Sequence, residues 1–508
     1  MSPKNGISRE LLNDISQGGF AETMSSDERD EIHAQSSMDD FLEEQMEKGR
    51  QVVLTGNPGD GKTQYIMRIK KEFEGYYETD ASTREPSELV EEWKEAYEKN
   101  KKGIIAINDG PLQQVITDFS NEYEFLQDIQ YKMENQLVTR VNDFENSNED
   151  IVVINMSKRQ ILSKMIIHQT IKNLTNIYDV EGDSNYHISY NIDMLQDERV
   201  KDSLTELLSY LGTYDSEVTM RDLLNFVGYC INGGRKDEKR NFSEDLKYYN
   251  LAYEGRGKVF DLFREYLDPE DLTHPYLDSV LWSEAEEEIN APDSEYDIDE
   301  VKKKFLHKKR AFLFGGKKIE GVNPRDVYKE SKDEFMDYSR NEDINTQQKK
   351  ENLIRRLNRY FLPNADKNNE LVLWFTHNFR SKENEVVISR GDTSTQKFNY
   401  LVPQLNPEIE EAMNFRSDHY FLEYSGETDN PRLKIDENLH KRLNTLELGV
   451  PYFMRDERIE RRIVNFMENI QKEEISSETH ATIRLKDTET GEDKKIKVDD
   501  NEYTLTDI

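Results

Sequence analysis

The feature that most constrains this chain is a short apolar strand that runs directly into a glycine-rich loop. The segment 51–63 reads Gln-Val-Val-Leu-Thr-Gly-Asn-Pro-Gly-Asp-Gly-Lys-Thr, so a G-x-x-x-x-G-K-T pattern begins at Gly56. Glycine at Gly56, Gly59 and Gly61 lets the backbone fold into a tight loop whose N–H groups converge on an anion. The amphipathic segment 63–73 predicts a helix whose positive end points at the same anion. Strand, loop and helix together predict a phosphate-binding loop rather than an accidental glycine-rich turn.

The side chains of this loop are those that a nucleoside triphosphate requires. We expect Lys62 to place its ammonium against the outer phosphates and Thr63 to offer its hydroxyl to Mg²⁺. The Asn-Lys-x-Asp pattern that reads guanine does not follow any suitable apolar strand, which favours ATP over GTP. The predicted cofactors are therefore ATP and Mg²⁺. The predicted nucleotide contacts are Gly56, Asn57, Pro58, Gly59, Asp60, Gly61, Lys62, Thr63 and Gln64.

The charge of the whole chain limits what it can bind directly. Its 508 residues include 68 Lys and Arg against 103 Asp and Glu, which gives a formal net charge of −35. Such a charge repels DNA at long range. Two interpretations remain open, an acidic surface suited to a salty cytoplasm and docking to basic partners. Contact with nucleic acid is expected only through a local basic patch or a partner subunit.

Cysteine usage and hydropathy predict a soluble, cytoplasmic protein. The single cysteine, Cys230, lies in an apolar run, where packing is the expected role, and it cannot form a disulfide within the chain. The N-terminus has no apolar signal core. No stretch approaches the ~18 consecutive apolar residues of a membrane span, so no membrane contact is expected.

Apolar strands alternate with helices in the first part of the chain. Continuous apolar runs at 52–54, 103–107 and 151–154, separated by helical segments, predict a parallel sheet covered on both faces. The fold class is therefore α/β, with a P-loop NTPase core of AAA+-like type, a helical region and a C-terminal α+β region. The predicted divisions are an N-terminal helical lead-in (1–45), the P-loop core (46–178), a mainly helical lid or insert (179–345), an α+β domain (346–474) and a β-hairpin tail (475–508).

The strand at 104–107 ends in Asn108 and Asp109, where a nucleotide hydrolase carries its acidic residues. Asp109 falls at the position of the acid that activates water, and Asn108 at the position on the Mg²⁺ side. The predicted metal-site residues are Thr63, Asn108 and Asp109. The competing interpretation is that Asn-Asp-Gly-Pro only begins a turn.

Two further positions complete the predicted catalytic set. Asn155 ends the strand at 151–154 and would sense the terminal phosphate or the attacking water, with a local turn as the alternative. Arg159, Arg221 and Arg310 stand where an arginine finger is presented, although each can equally be a structural arginine. Arg221 is favoured because it opens a helix with Thr219 as its N-cap. The predicted catalytic residues are Lys62, Asp109, Asn155 and Arg221.

A basic block at 302–318 interleaves lysines and arginine with Phe305, Phe312 and Phe314. This pattern can follow a nucleic-acid backbone and stack bases. The alternative is pairing with the acidic segment 284–300 just before it. A zinc site and a nuclease are not indicated, since the nine histidines are scattered and the E-x-K at 92–94 lacks an upstream acid on a strand.

Three segments of the chain carry a family resemblance. They are 54–63, 105–112 (Ile-Ala-Ile-Asn-Asp-Gly-Pro-Leu) and 151–159 (Ile-Val-Val-Ile-Asn-Met-Ser-Lys-Arg). Together they resemble the P-loop subunit of the DNA phosphorothioation-dependent restriction systems of bacteria and archaea. The resemblance covers about the first 160 residues. It implies an ATPase that works with a larger helicase or translocase partner, with a nuclease as a further candidate, to restrict unmodified DNA. By this analogy Lys62 and Thr63 hold the nucleotide and Asp109 serves hydrolysis.

Three hypotheses about function follow from these patterns. The first is an ATP-hydrolysing subunit of a restriction complex, which the resemblance and the basic block favour. The second is a nucleotide-switched regulator or assembly protein with little hydrolysis, which the acidic surface and the uncharged Asn108 favour. The third is a chaperone-like AAA+ ATPase, which requires a clear arginine finger and a small helical lid. The oligomeric state stays open, a homo-oligomer included.

Overall fold

The computed structural model describes the chain in fifteen segments and divides it into two compact units. The first unit is Met1–Glu330 with Leu405–Phe415, and the second is Ser331–Gln404 with Arg416–Ile508. The described residues are 7–18, 24–139, 150–177, 187–214, 217–234, 243–289, 297–328, 332–339, 345–361, 369–374, 386–447, 457–477, 481–487, 493–499 and 502–507.

A four-stranded parallel sheet lies in the first unit, in the order β2-β3-β1-β5. The register pairs Leu54 with Ala106 and Thr55 with Asn155, so the carboxyl ends of three strands meet at one edge. The predicted α/β class with a parallel sheet is confirmed. The strands of this unit are β1 (Gln51–Thr55), β2 (Tyr76–Glu78), β3 (Gly103–Ala106), β4 (Leu137–Val138) and β5 (Ile151–Asn155).

Helices are the main element of the first unit. They are α1 (Arg9–Ser16), α2 (Ser26–Ile32), α3 (Ser37–Glu47), α4 (Lys62–Glu72), α5 (Pro86–Glu98), α6 (Asp109–Phe119), α7 (Glu124–Glu134), α8 (Lys164–Thr175), α9 (His187–Gln196), α10 (Glu198–Leu211), α11 (Met220–Asn232), α12 (Tyr248–Glu254), α13 (Lys258–Tyr266), α14 (Pro275–Ile289), α15 (Ile298–Leu313), α16 (Pro324–Tyr328) and α19 (Pro407–Met413).

Both faces of the sheet are buried, because successive side chains of a strand point to opposite sides. Val52 and Leu54 belong to a core with α3, α4 and α19. Val53, between them, belongs to a second core with α5, α6 and α7. Continuous burial on two faces explains why these strands read as unbroken apolar runs.

The helical region has its own core, built from α1 and α8–α13. Within it, α11 begins at the predicted cap, where Thr219 accepts from the N–H of Asp222 and the Asp222 carboxylate accepts from the N–H of Thr219. The helix ends at Gly233 with φ of 70°, a left-handed conformation that favours glycine. Cys230 is fully buried on α11, and burial raises the pKa of its thiol.

The second unit combines antiparallel sheets with helices, as predicted for an α+β region. One sheet has the order β11-β10-β8 and the other β14-β13-β12-β7-β6. The predicted C-terminal hairpin is present, with Ile483 opposite Ile496, while its turn (488–492) lies outside the described residues. The remaining elements of the chain are α17 (Lys332–Tyr338), α18 (Thr346–Phe361), β6 (Glu370–Trp374), β7 (Val386–Ser394), β8 (Phe398–Leu401), β9 (Gln404–Leu405), β10 (His419–Tyr424), β11 (Arg432–Asp436), α20 (Glu437–Glu447), α21 (Glu457–Ser477), β12 (Ala481–Asp487), β13 (Asp493–Asp499) and β14 (Glu502–Asp507).

Among the described residues, no helix is both long enough and apolar enough to cross a membrane.

Candidate functional site

The glycine-rich loop connects β1 to α4 at the carboxyl edge of the parallel sheet. Gly56, Gly59 and Gly61 have φ of 123°, 98° and 90°, which L side chains rarely adopt. A Cβ on Gly56 would lie 2.7 Å from a carboxylate oxygen of Asp60 and 2.9 Å from the backbone nitrogen of Ser157. Conformation and close packing therefore both require glycine at the first position of the loop.

Lys62 is the first residue of α4 and is almost completely buried. Its ammonium donates to the carbonyl oxygens of Gly56 at 3.1 Å and Asn57 at 2.7 Å. Burial lowers the pKa of Lys62, against the attraction of nearby carboxylates. The loop therefore holds the buried ammonium of Lys62 beside its own carbonyl oxygens, where α4 begins.

Two polar side chains after Lys62 point to neighbouring elements. The Thr63 hydroxyl donates to the carbonyl of Thr79 at 3.1 Å. The Gln64 amide donates to the carbonyl of Arg29, on α2, at 3.0 Å. Gln64 was predicted as a nucleotide contact, and its bond to Arg29 connects α2 to the start of α4.

Asp109 is held at the sheet edge by residues of β1 and β5. The Thr55 hydroxyl donates to one carboxylate oxygen of Asp109, and the amide of Asn155 lies 3.5 Å from the other. Asn108 is the N-cap of α6, and its backbone N–H donates to the hydroxyl of Ser82 at 2.8 Å. Asn-Asp-Gly-Pro thus begins a helix, and the same geometry aims the Asp109 carboxylate across the strand ends.

Thr55 is a site residue that the sequence analysis missed. The sequence does contain a signal for this position, since Thr55 is the polar last residue of an otherwise apolar strand. Its importance depends on the register, which places it opposite Asn155. A pairing between strands that are about 100 residues apart in the chain is not visible in a local pattern.

Asn155 forms the local turn that was its alternative interpretation, and the sensor role stays a prediction. Its side-chain oxygen accepts from the backbone N–H of Ser157 at 3.0 Å and from the Ser157 hydroxyl at 2.6 Å, as a local turn requires. Its amide nitrogen faces Asp109. The turn therefore orients the side chain that was predicted as a sensor.

The three candidate arginines have different surroundings. Arg221 lies on α11 beside the loop, where a Cβ on Gly59 would be 3.4 Å from the Arg221 Cβ. Arg159 is 1 % exposed and donates to the hydroxyls of Tyr65 at 2.6 Å and Ser36 at 2.5 Å. Arg159 is thus a structural arginine, while Arg221 is positioned at the candidate site.

Arg310 belongs to a different part of the first unit. Its guanidinium lies 4.5 Å from the centre of the Tyr253 ring and donates to the side-chain oxygen of Asn250 at 3.3 Å. These contacts connect α15 to α12, which is a structural role.

A cavity of about 470 Å³ adjoins the loop within the first unit. One wall is apolar and comes from the N-terminal lead-in and from α11; its residues are Met24, Ile32, Ala34, Met220 and Leu224. The sequence analysis did not assign the lead-in to the site. The predicted site residues that line the cavity are Pro58, Gly59, Asp60, Gly61, Lys62, Thr63, Gln64, Asn108 and Arg221.

The basic block 302–318 is paired with carboxylates, but only some of them belong to the acidic segment 284–300 that the alternative interpretation named. Glu284 and Glu288 lie in that segment, whereas Asp245, Glu270 and Asp278 lie earlier in the chain. Phe312 and Phe314 are buried, so neither ring is available to stack a base. The nitrogen–oxygen distances lie between 2.7 and 3.7 Å for Lys302–Glu270, Lys303–Asp245, Lys304–Glu288, Lys308–Glu284, Lys309–Asp278 and Lys317–Glu284.

Fold and site together define an α/β protein with a glycine-rich loop at the carboxyl edge of a parallel sheet. In comparisons with known proteins, no family model, no curated protein and no solved structure matches the chain.

Proposed function

We propose that this chain binds ATP with Mg²⁺ at the glycine-rich loop and hydrolyses it. The observation that carries the proposal is the loop geometry, with three glycines at positive φ around a buried Lys62 at the start of α4. Backbone N–H groups of such a loop, a lysine and a helix N-terminus are the donors that a polyphosphate needs. In this proposal Lys62 exchanges its bonds to loop carbonyls for bonds to the outer phosphates.

The apolar wall of the cavity supports a nucleoside triphosphate over inorganic polyphosphate. A flat base can pack against Met24, Ile32 and Leu224, which are buried side chains at one side of the loop. Arg221 lines the same cavity from the same chain. We therefore assign Arg221 to the transferring phosphate in cis, without a neighbouring subunit.

The residues at the strand ends suit the hydrolytic step. Asp109 would accept a proton from the attacking water or orient it, while Thr55 and Asn155 hold the carboxylate in place. Mg²⁺ prefers oxygen ligands, and Thr63, Asp109 and the amide oxygen of Asn108 are the oxygen donors that this chain would offer. The metal would neutralise charge on the phosphates.

The proposed biological role is a cytoplasmic ATPase subunit of a DNA-restriction complex of the phosphorothioation-dependent type, acting with a helicase or translocase. The support is the sequence resemblance at 54–63, 105–112 and 151–159. The ion pairs of α15 favour indirect contact with DNA, through the partner subunit, over contact through the block 302–318.

A nucleotide-switched regulator is the second candidate, and one observation favours it. The Asp109 carboxylate already interacts with Thr55 and Asn155, and its neighbour Asn108 brings no charge for the metal. A carboxylate whose two oxygens both face protein partners is less free to orient an attacking water. Such a site would bind ATP and change contacts with partners while turnover stays slow.

Nucleotide binding and turnover of the purified chain test these proposals. Lys62→Ala should weaken ATP binding by about 100-fold or more, since charge-assisted bonds to phosphate are lost. Binding is measured by calorimetry and turnover by phosphate release, with and without DNA and a helicase partner. Turnover that DNA or the partner stimulates supports the restriction ATPase. Binding with no turnover under any of these conditions supports the regulator, and ATP binding that Lys62→Ala leaves unchanged overturns both.

A further inference from the structure

Asp60 places a carboxylate inside a loop whose geometry suits anions. One of its oxygens accepts from the backbone N–H of Asn57 at 2.6 Å, and the side chain is almost completely buried. The same oxygen would lie 2.7 Å from a Cβ on Gly56, so the carboxylate packs against the first glycine of the loop. Asp60 therefore braces the first turn of the loop.

The brace needs an oxygen acceptor but no negative charge. An amide or hydroxyl oxygen can accept the Asn57 N–H as well. The charge has a separate effect, because Asp60 lies close enough to Lys62 and Asp109 for each to influence its ionisation. Burial raises the pKa of Asp60, against its bond from Asn57 and the attraction of Lys62. A buried charge is poorly screened, so it acts on any ligand that Lys62 binds.

We propose that the charge of Asp60 weakens nucleotide binding and makes it depend strongly on Mg²⁺. This inference rests on the proposed function, since it concerns the same triphosphate. Repulsion between Asp60 and the ligand grows with the charge of the ligand, and Mg²⁺ cancels part of the triphosphate charge. Metal-free ATP is therefore penalised more than its Mg²⁺ complex.

The test compares Asp60→Asn with the unmodified chain by calorimetric titration of ATP, in excess Mg²⁺ and in EDTA. Asparagine keeps the shape and the acceptor oxygen of the brace and removes the charge. We expect affinity to rise about tenfold with Mg²⁺ and about 100-fold in EDTA, as expected for a like charge at close range. The gain should persist in high salt, because Asp60 is buried.

Asp118→Asn is the control, since Asp118 is an exposed carboxylate on α6 and is not among the residues that line the cavity. It should change affinity by less than about threefold. Asp60→Ser provides a second, smaller acceptor if Asp60→Asn folds poorly. Unchanged or weaker binding in a folded variant overturns the inference. Failure of the unmodified chain to bind ATP in any condition would instead overturn the proposed function.

Discussion

At the scale of the residue, the proposed ATPase activity assigns to Asp109 the fate of a bound nucleotide. It is the first residue of α6, and its carboxylate reaches across the strand ends to Thr55 and Asn155. Lys62 and the loop glycines lie on a different element, between β1 and α4. Because the proposed function assigns the phosphates to Lys62 and the attacking water to Asp109, substitutions at these two positions should affect binding and turnover to different extents.

Asp109→Asn should keep ATP affinity within about threefold and lower turnover by about 100-fold, because the amide cannot act as a base. The bond from Thr55 can persist to the amide oxygen, so the fold should be unaffected. Single-turnover phosphate release and calorimetric binding are the two measurements. Asp118→Asn, an exposed carboxylate on the same helix, is the control. Turnover that survives Asp109→Asn would assign the chemistry to another group.

At the scale of the element, buried Arg159 connects three parts of the first unit. It lies in the turn after β5, and its guanidinium donates to Ser36, the N-cap of α3, and to Tyr65 on α4. Ser36 in turn pairs with Asp39 in a capping box. This network sets the position of α4, and with it the glycine-rich loop, relative to the strand that carries Asn155.

Arg159→Met should destabilise the first unit by about 2–4 kcal/mol, because the substitution removes the two buried, charge-assisted hydrogen bonds to Ser36 and Tyr65. Urea unfolding followed by circular dichroism measures the change. Lys164→Met, at an exposed position of α8, is the control and should alter stability by less than about 0.5 kcal/mol. Equal effects of the two substitutions would contradict the structural role of Arg159.

At the scale of the whole molecule, pH changes the stability of a chain that is rich in carboxylates. One carboxylate, Glu334, makes a specific contribution to this pH dependence. Hydrogen bonding with His440, against the effect of burial and with help from Arg356, lowers the pKa of Glu334 in the second unit to about 2. Burial outweighs the same bond for His440, whose pKa is lowered. Since the folded-state pKa of Glu334 lies below its ordinary value, its stabilising effect is complete above about pH 4.5 and is lost as the pH falls towards 2.

Glu334→Gln should therefore lower stability at neutral pH and flatten its dependence on pH between about 4.5 and 2. Glu334 is partly exposed, so solvent screening reduces the size of the effect. Urea unfolding at a series of pH values gives both quantities. Glu427→Gln, at an exposed position, should leave the slope unchanged. An unaltered slope in Glu334→Gln would remove this residue from the acid sensitivity.

The local parts of the fold and site could be predicted from the chain itself. Unbroken apolar runs around Val53 indicated strands buried on two faces, and the Thr219 cap indicated where α11 begins. The glycines of the loop indicated a tight turn of the backbone, and all three have positive φ. These features depend on residues within a few positions of each other, so a short segment of sequence is enough to predict them.

Features that join distant segments could not be predicted in this way. The register that sets Thr55 opposite Asn155, the burial of Arg159 and the pairing of α15 with carboxylates each depend on how separate elements pack. From the sequence alone, a side chain has many possible partners among distant residues. The packing of the folded chain determines which of them it contacts.

The sequence by itself determined that a glycine-rich loop connects a buried strand to a helix and that an acid follows a neighbouring strand, because both follow from backbone conformation and strand polarity. Tertiary structure alone decided that the N-terminal lead-in and α11 enclose the loop, and that Arg221 rather than Arg159 lies beside it. Burial and long-range pairing are properties of the folded chain, since they depend on neighbours that folding brings together.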